Sequence, residues 1–223
     1  FSGKSDRDAL YKDRGDFWKV VSDLDSVRNI TNGKILHNIF DNIFGSPSIG
    51  FDFIFLRPVA NGKSTKMHCD SGFFTRKTKK VLTCWFVFTE ISLDRGPLFI
   101  IENSHKFEDL KNQYLDFDVA IHKDRKAMIN VDPIEFAKQR DSKILTAHFK
   151  PGDALIFGMY TLHGTFQNHS IDNKIRLTCD IRYQPKSEEK DPRYFGNNPG
   201  GTTGAGYGEL NSARPLNEDW HNR

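Results

Sequence analysis

The chain has 223 residues, and its 32 Lys and Arg stand against 29 Asp and Glu for a formal net charge of +3. So small and scattered an excess is no electrostatic footprint for nucleic acid. Apolar residues make up 37% and Phe occurs 19 times, which excludes wholesale disorder and supplies a core.

The longest apolar run, around Leu82–Phe88, falls far short of the roughly 20 residues of a membrane-spanning helix. Cys69, Cys84 and Cys179 are too few for a disulfide framework and read as reduced thiols of a cytoplasmic protein. No charged-then-apolar leader opens the sequence, so nothing argues for secretion. A first residue of Phe1 rather than Met fits a trimmed version of a longer chain.

Leu10–Phe44 reads as helical, with Phe17, Val20, Val21, Leu24 and Val27 on one face. Asn32–Gly33 breaks it, and a second helix over Ile35–Phe44 stops near Gly45 and Pro47. From residue 50 the period becomes two. Phe51–Arg57 is strand-like, Lys80–Ile91 is the clearest strand, and Leu98–Ile101 is a short one after the turn Asp94-Arg95-Gly96-Pro97. Residues 105–140 form an excursion with a helix at Pro133–Arg140. Strands resume at Lys143–Phe149, Ala154–Phe157, Tyr160–Phe166 and Lys174–Tyr183, with Pro151-Gly152-Asp153 as a turn. After Pro185 the chain turns rich in Gly, Pro and Asn. Eight or so short strands after a helical start predict a mainly β protein. Its core is a double-stranded β-helix (jelly-roll or cupin-like barrel) with N-terminal helices outside.

His68 and Asp70 are two residues apart, so in extended backbone they point to one side and can grip a divalent metal. His163, in a later strand, supplies a third donor. Two His and one carboxylate on one face are the facial triad of non-haem Fe(II) oxygenases. His148 and His169 compete for the third position. On the last strand Arg176, Thr178, Asp180 and Arg182 share one face, with Ile175, Leu177, Cys179 and Ile181 on the other. If the polar face lines a barrel, Arg176 is a buried cation that requires an anionic partner. Its planar fork suits a carboxylate, and Thr178 can add a third donor.

These residues follow one another in a distinctive order. His68-x-Asp70 leads to Trp85, to Asp94-Arg95-Gly96-Pro97-Leu98 and to Asn103-Ser104-His105-Lys106. Pro151-Gly152-Asp153, His163 and Arg176 complete it. Over roughly residues 50–185 the sequence resembles the phytanoyl-CoA dioxygenase family, Fe(II)- and 2-oxoglutarate-dependent oxygenases on a double-stranded β-helix. The resemblance implies that His68, Asp70 and His163 hold iron and that Arg176 binds the distal carboxylate of 2-oxoglutarate. Thr178 would assist and Trp85 would lie near the cosubstrate. It further implies a hydroxylase that consumes O2 and releases succinate and CO2. Halogenases of the family have a small residue in place of the carboxylate, so Asp70 favours hydroxylation.

The expected organisation is one oxygenase domain over 1–185, helical over 1–48 and barrel over about 50–185, with a tail at 186–223 packed on or near the barrel. In that tail Arg193, Tyr194 and Tyr207 are candidates to cap the barrel mouth, while Gly204, Gly206 and Gly208 lack the strand and helix of a dinucleotide loop. The expected partner is a small molecule, with Arg57, Lys66 and Arg182 as cations that could meet an anionic one. Nucleic acid and membrane are not expected, and oligomeric state is open. Two other readings remain. One is a non-catalytic cupin-like binding module. The other is a Zn- or Mn-dependent hydrolase or isomerase using the same triad.

Overall fold

A computed structural model describes residues 20–122, 124–172, 174–197, 199 and 201. The expectations for Phe17, Gly204, Gly206, Tyr207 and Gly208 lie outside the described residues. Among the described residues, ten strands form two antiparallel sheets of five. The first contains β1 (Ser48–Gly50), β10 (Arg176–Pro185), β4 (Leu82–Val87) and β8 (Ala154–Gly158) in that order, with β2 (Phe55–Val59) also paired to β10. The second runs β6 (Met128–Ile129), β3 (Met67–His68), β9 (His163–Thr165), β5 (Leu98–Ile101), β7 (Ile144–Leu145). This is the jelly-roll arrangement expected, although the ladders among the described residues do not close into a continuous barrel.

The alternation of β10 explains how the first sheet is covered. Cys179, Ile181 and Tyr183 point outward, where helix α2 (Lys34–Phe44) lays Leu36 and Phe40 on them. The Tyr183 ring stacks on Phe40 at 4.1 Å between centroids, and its hydroxyl donates to the Thr31 carbonyl at 2.7 Å. Gly45, at φ 65°, ends α2 in the left-handed conformation that favours glycine. Before α2, residues 20–22 are helical, Asp23 and Leu24 interrupt the run, and α1 spans Asp25–Thr31; residues 10–19 of the expected helix lie outside the described residues. Val20 and Leu24, expected on its buried face, are largely exposed, whereas Val27 packs against the core.

Helices also cover the second sheet. Met67, Phe99, Ile101 and Leu162 turn away from the first sheet and meet Leu110 and Tyr114 of α4 (Glu108–Tyr114) and Phe136 of α5 (Pro133–Gln139). A short helix α3 (Ser71–Phe74) follows β3. Gly164 permits this packing, because a Cβ there would lie 2.9 Å from the Phe99 ring and 3.0 Å from the Thr65 carbonyl oxygen.

The strand expected over Phe51–Arg57 begins only at Phe55. Phe51, Phe53 and Phe55 are all buried, in a cluster with Phe74 and Tyr194. The Tyr194 carbonyl accepts from the Asp52 and Phe53 amides, so this stretch bonds to the segment after β10 instead of extending the ladder. Tyr194 is wholly buried and its hydroxyl donates to the Phe73 carbonyl at 2.9 Å; it is part of the core, and no longer a candidate to touch substrate.

Candidate functional site

The inward faces of the two sheets enclose a polar interior, which is unusual for a core and has to be matched group by group. β3 and β9 are adjacent, with His68 and His163 as direct cross-strand partners whose rings lie 4.4 Å apart. Pairing thus joins two residues 95 positions apart in sequence. Asp70, just past the end of β3, turns into the same space. Its Oδ1 lies 3.6 Å from His68 Nε2 and 3.9 Å from His163 Nε2. One donor atom from each of the three falls within 4.8 Å of the others, and all three residues are buried. Between them Cys69 points the other way, with its Sγ donating to the Tyr160 carbonyl at 3.6 Å.

The protonation pattern suits a cation. Nδ1 of His68 donates to the Lys66 carbonyl at 2.8 Å, and Nδ1 of His163 to the Thr161 carbonyl at 3.0 Å. Carbonyls only accept, so each Nδ1 carries the proton and each Nε2 offers its lone pair to the shared space. Burial and the facing His163 hold His68 down to about 4, leaving it neutral near pH 7. Burial would raise the Asp70 carboxyl, but Arg182 and the two imidazoles outweigh it and keep the group well below the usual carboxylate range. Two imidazole Nε2 atoms and one carboxylate within 4.8 Å of one another fit a divalent iron ion.

A second polar group lies further along the same interior. Arg176 is 1% exposed. Its Nη1 donates to the Gly96 carbonyl and its Nη2 to Thr165 Oγ1 at 3.3 Å. Nε has no partner, the neighbouring Thr178 Oγ1 has none, and among the described residues no carboxylate forms an ion pair with the guanidinium. Burial lowers Arg176 to about 10, so it still carries its charge at neutral pH. A buried cation beside an unsatisfied hydroxyl is costly unless an anion completes it. Gly96, the third residue of Asp94-Arg95-Gly96-Pro97, sits at φ 67°, and a Cβ there would meet the Phe166 carbonyl oxygen at 2.2 Å.

Trp85 also faces inward, 2% exposed, with its ring edge-on to Phe149 at 4.9 Å. It stands between Thr83 and Val87, the cross-strand partners of Arg182 and Thr178. His148 and His169 are exposed and away from the other donors. His105 follows Asn103, whose φ of 56° preserves the turn, and the buried Ser104 hydroxyl accepts from the Leu162 amide. Of the three cations considered for an anionic substrate, Lys66 is exposed and Arg57 is half-buried with Nε on Asp180 at 2.8 Å. Arg182 is buried against Asp70. An open cleft of about 770 Å³ beside Val81, Met159, Tyr160 and Thr161 is lined by none of the triad.

Residues 6–176 match the family model of phytanoyl-CoA dioxygenase. The chain belongs to the phytanoyl-CoA dioxygenase family. A family relative, 1-deoxypentalenic acid 11-beta-hydroxylase of Streptomyces arenae, is 26% identical over 164 residues, covering 68% of this chain and 54% of the relative. The chain therefore spans about half the length of that enzyme. Among solved structures, the epimerase SnoN in complex with Fe3+, alpha ketoglutarate and nogalamycin RO superposes with a TM-score of 0.59. It is 17% identical over 81% of this chain and 70% of its own. EctD from S. alaskensis, with 2-oxoglutarate and 5-hydroxyectoine, gives 0.55 at 17% identity over 74% of this chain and 54% of its own. At these identities the likeness concerns the fold. No helix of the described residues is long and apolar enough to cross a membrane.

Proposed function

We propose that this phytanoyl-CoA dioxygenase relative is an Fe(II)- and 2-oxoglutarate-dependent oxygenase that hydroxylates a small organic molecule. His68, Asp70 and His163 would hold the iron. Arg176, with Thr178, would take the distal carboxylate of 2-oxoglutarate, and Trp85 would wall the cosubstrate from the side of β4. Bound together, iron and 2-oxoglutarate supply an O2-driven oxidation that releases succinate and CO2.

The observation that carries this reading is the buried Arg176 guanidinium, without a carboxylate partner among the described residues, and its distance from the triad. Its partner Thr165 is two residues beyond His163 on the same face of β9. Two strand residues span about 7 Å, a length suited to a five-carbon diacid that chelates at one end and ion-pairs at the other. The Nε of Arg176 and the Thr178 hydroxyl are the donors such a carboxylate would complete. A Zn or Mn hydrolase has no use for this second cradle, and a binding module has no need to keep three metal donors beside it.

The chain's own groups do the rest. The Nδ1 hydrogen bonds of both imidazoles fix their orientation, Arg176 orders the cosubstrate, and the Phe and Trp side chains around the interior exclude water. The test supplies Fe(II), ascorbate and 2-oxoglutarate under air with a panel of small organic candidates and measures succinate. Succinate that depends on both iron and 2-oxoglutarate is expected, with slow release even before a good substrate is found. Metal binding without any succinate would refute the oxygenase reading.

A further inference from the structure

The two oxygens of Asp70 have different surroundings. Oδ2 accepts from Arg182 Nη2 at 2.9 Å and from Thr83 Oγ1 at 2.5 Å. Oδ1 faces only the two imidazole Nε2 atoms, at 3.6 and 3.9 Å. The two donors on Oδ2 are themselves a cross-strand pair, since Thr83 of β4 stands opposite Arg182 of β10. Strand pairing therefore delivers both to one oxygen.

Arg182 has little freedom to move. It is 2% exposed, with its guanidinium 4.2 Å from the centroid of the Phe74 ring and 4.9 Å from that of Phe55. Its Nε and Nη1 form no hydrogen bond; Nη1 lies 3.8 Å from Asp180 Oδ2. Among the described residues, the one hydrogen bond this guanidinium makes goes to Asp70 Oδ2, and the aromatic rings hold it in that direction. The carboxylate cannot rotate to present both oxygens to its histidine neighbours without breaking that bond and the one from Thr83.

We infer that Arg182 and Thr83 are positioning residues that make Asp70 a one-oxygen metal donor, with Oδ1 reserved for the ion and Oδ2 tied back. This rests on the triad reading proposed above. Its consequence is a count of coordination places. One atom from each of three side chains leaves half of an octahedral shell open, and a carboxylate giving both oxygens would take one place more. A chelating cosubstrate and one further ligand need all three places.

The test is titration of the metal-free chain with Co(II), following affinity and the visible absorption of the bound ion. Thr83→Val, close to isosteric, should weaken Co(II) binding about 10-fold, the lower end for loss of a group that orients a ligand, and change the absorption envelope. Arg182→Met should do so more strongly. Arg182→Lys should recover part of the affinity but not the wild-type spectrum, because an ammonium is a point charge without the guanidinium's planar fork. A purely architectural role would lower the melting temperature and leave Co(II) affinity and spectrum unchanged. That result in Thr83→Val, which does not depend on Arg182 variants folding, overturns the inference while the triad stands. A wild-type chain that binds no Co(II) overturns both.

Discussion

Arg176→Ala offers the sharpest test of the site, because the structure gives that side chain one unmet need. The guanidinium is 1% exposed, forms hydrogen bonds only to Gly96 and Thr165, and has an unbonded Nε beside the unbonded Thr178 hydroxyl. Truncating one partner of a buried hydrogen-bonded charge pair costs about 2–5 kcal/mol. At about 1.4 kcal/mol per tenfold, the concentration of 2-oxoglutarate needed should rise by roughly 30-fold to several thousand-fold. The same logic predicts stabilisation of the wild type. At 100 times its dissociation constant, 2-oxoglutarate adds about 2.7 kcal/mol, a rise of roughly 5–11 °C in Tm for a chain of this size. Titrating succinate formation against 2-oxoglutarate, and melting the metal-loaded protein with and without it, measures both. Thr178→Val should show a smaller loss, roughly 10- to 150-fold, for one hydrogen bond to a charged carboxylate at about 1.5–3 kcal/mol. If Arg176→Ala keeps a 2-oxoglutarate requirement within threefold of wild type and the same Tm rise, the assignment of Arg176 is wrong.

Asp70→Ala should abolish turnover and also cost about 3–5 kcal/mol of stability, because Arg182 would remain buried without its carboxylate; normal activity in calorimetrically folded protein would reject the triad. In the metal-free chain His68 is lowered to about 4. The unfolded chain then binds the extra proton between about pH 6.5 and 4, so stability should fall by about 3 kcal/mol as pH drops through that window. Thermal melts of chelator-treated protein should show this slope and show it flattened in His68→Gln; identical slopes would contradict the buried neutral imidazole. Gly164→Ala should destabilise by about 1–3 kcal/mol through the Phe99 ring and Thr65 carbonyl. It should also weaken metal binding, since His163 precedes it. An unchanged Tm would mean the sheet yields there freely.

What the sequence conveyed well was alternation with a clear use for both faces. β10 overlaps the expected Lys174–Tyr183 over Arg176–Tyr183 and runs on to Pro185, and β5 coincides with Leu98–Ile101. The convergence of His68, Asp70 and His163 was legible because the strand period puts His68 and Asp70 on one side and the later motifs follow them in a distinctive order. Alternation misled where aromatic packing set the conformation. Phe51, Phe53 and Phe55 look like one face of a strand, yet Phe51 and Phe53 are held by Tyr194, more than a hundred residues later. Strands of two residues, such as β6 and β7, are defined by their partners and leave no local pattern. The expected strand over Lys143–Phe149 pairs only at Ile144–Leu145 and through an isolated bridge at Phe149. Helix α4 was missed inside the excursion because only Leu110 and Tyr114 mark its buried side. Thr83 and Arg182 could not be assigned from sequence, since their meeting on one oxygen depends on register across β4 and β10.

The pleat that sends His68 inward sends Cys69 to the far side of the sheet. There it lies among Met67, Phe99 and Tyr114, 1% exposed, and burial raises its thiol well above the ordinary range. A protonated, shielded sulfur reacts sluggishly with peroxide and other stray oxidants. Catalysts that consume O2 are prone to damage themselves when turnover misfires. If the chain turns over O2 as proposed, its Cys69 sulfur is kept from that hazard by the thickness of one strand, through the parity of three consecutive positions.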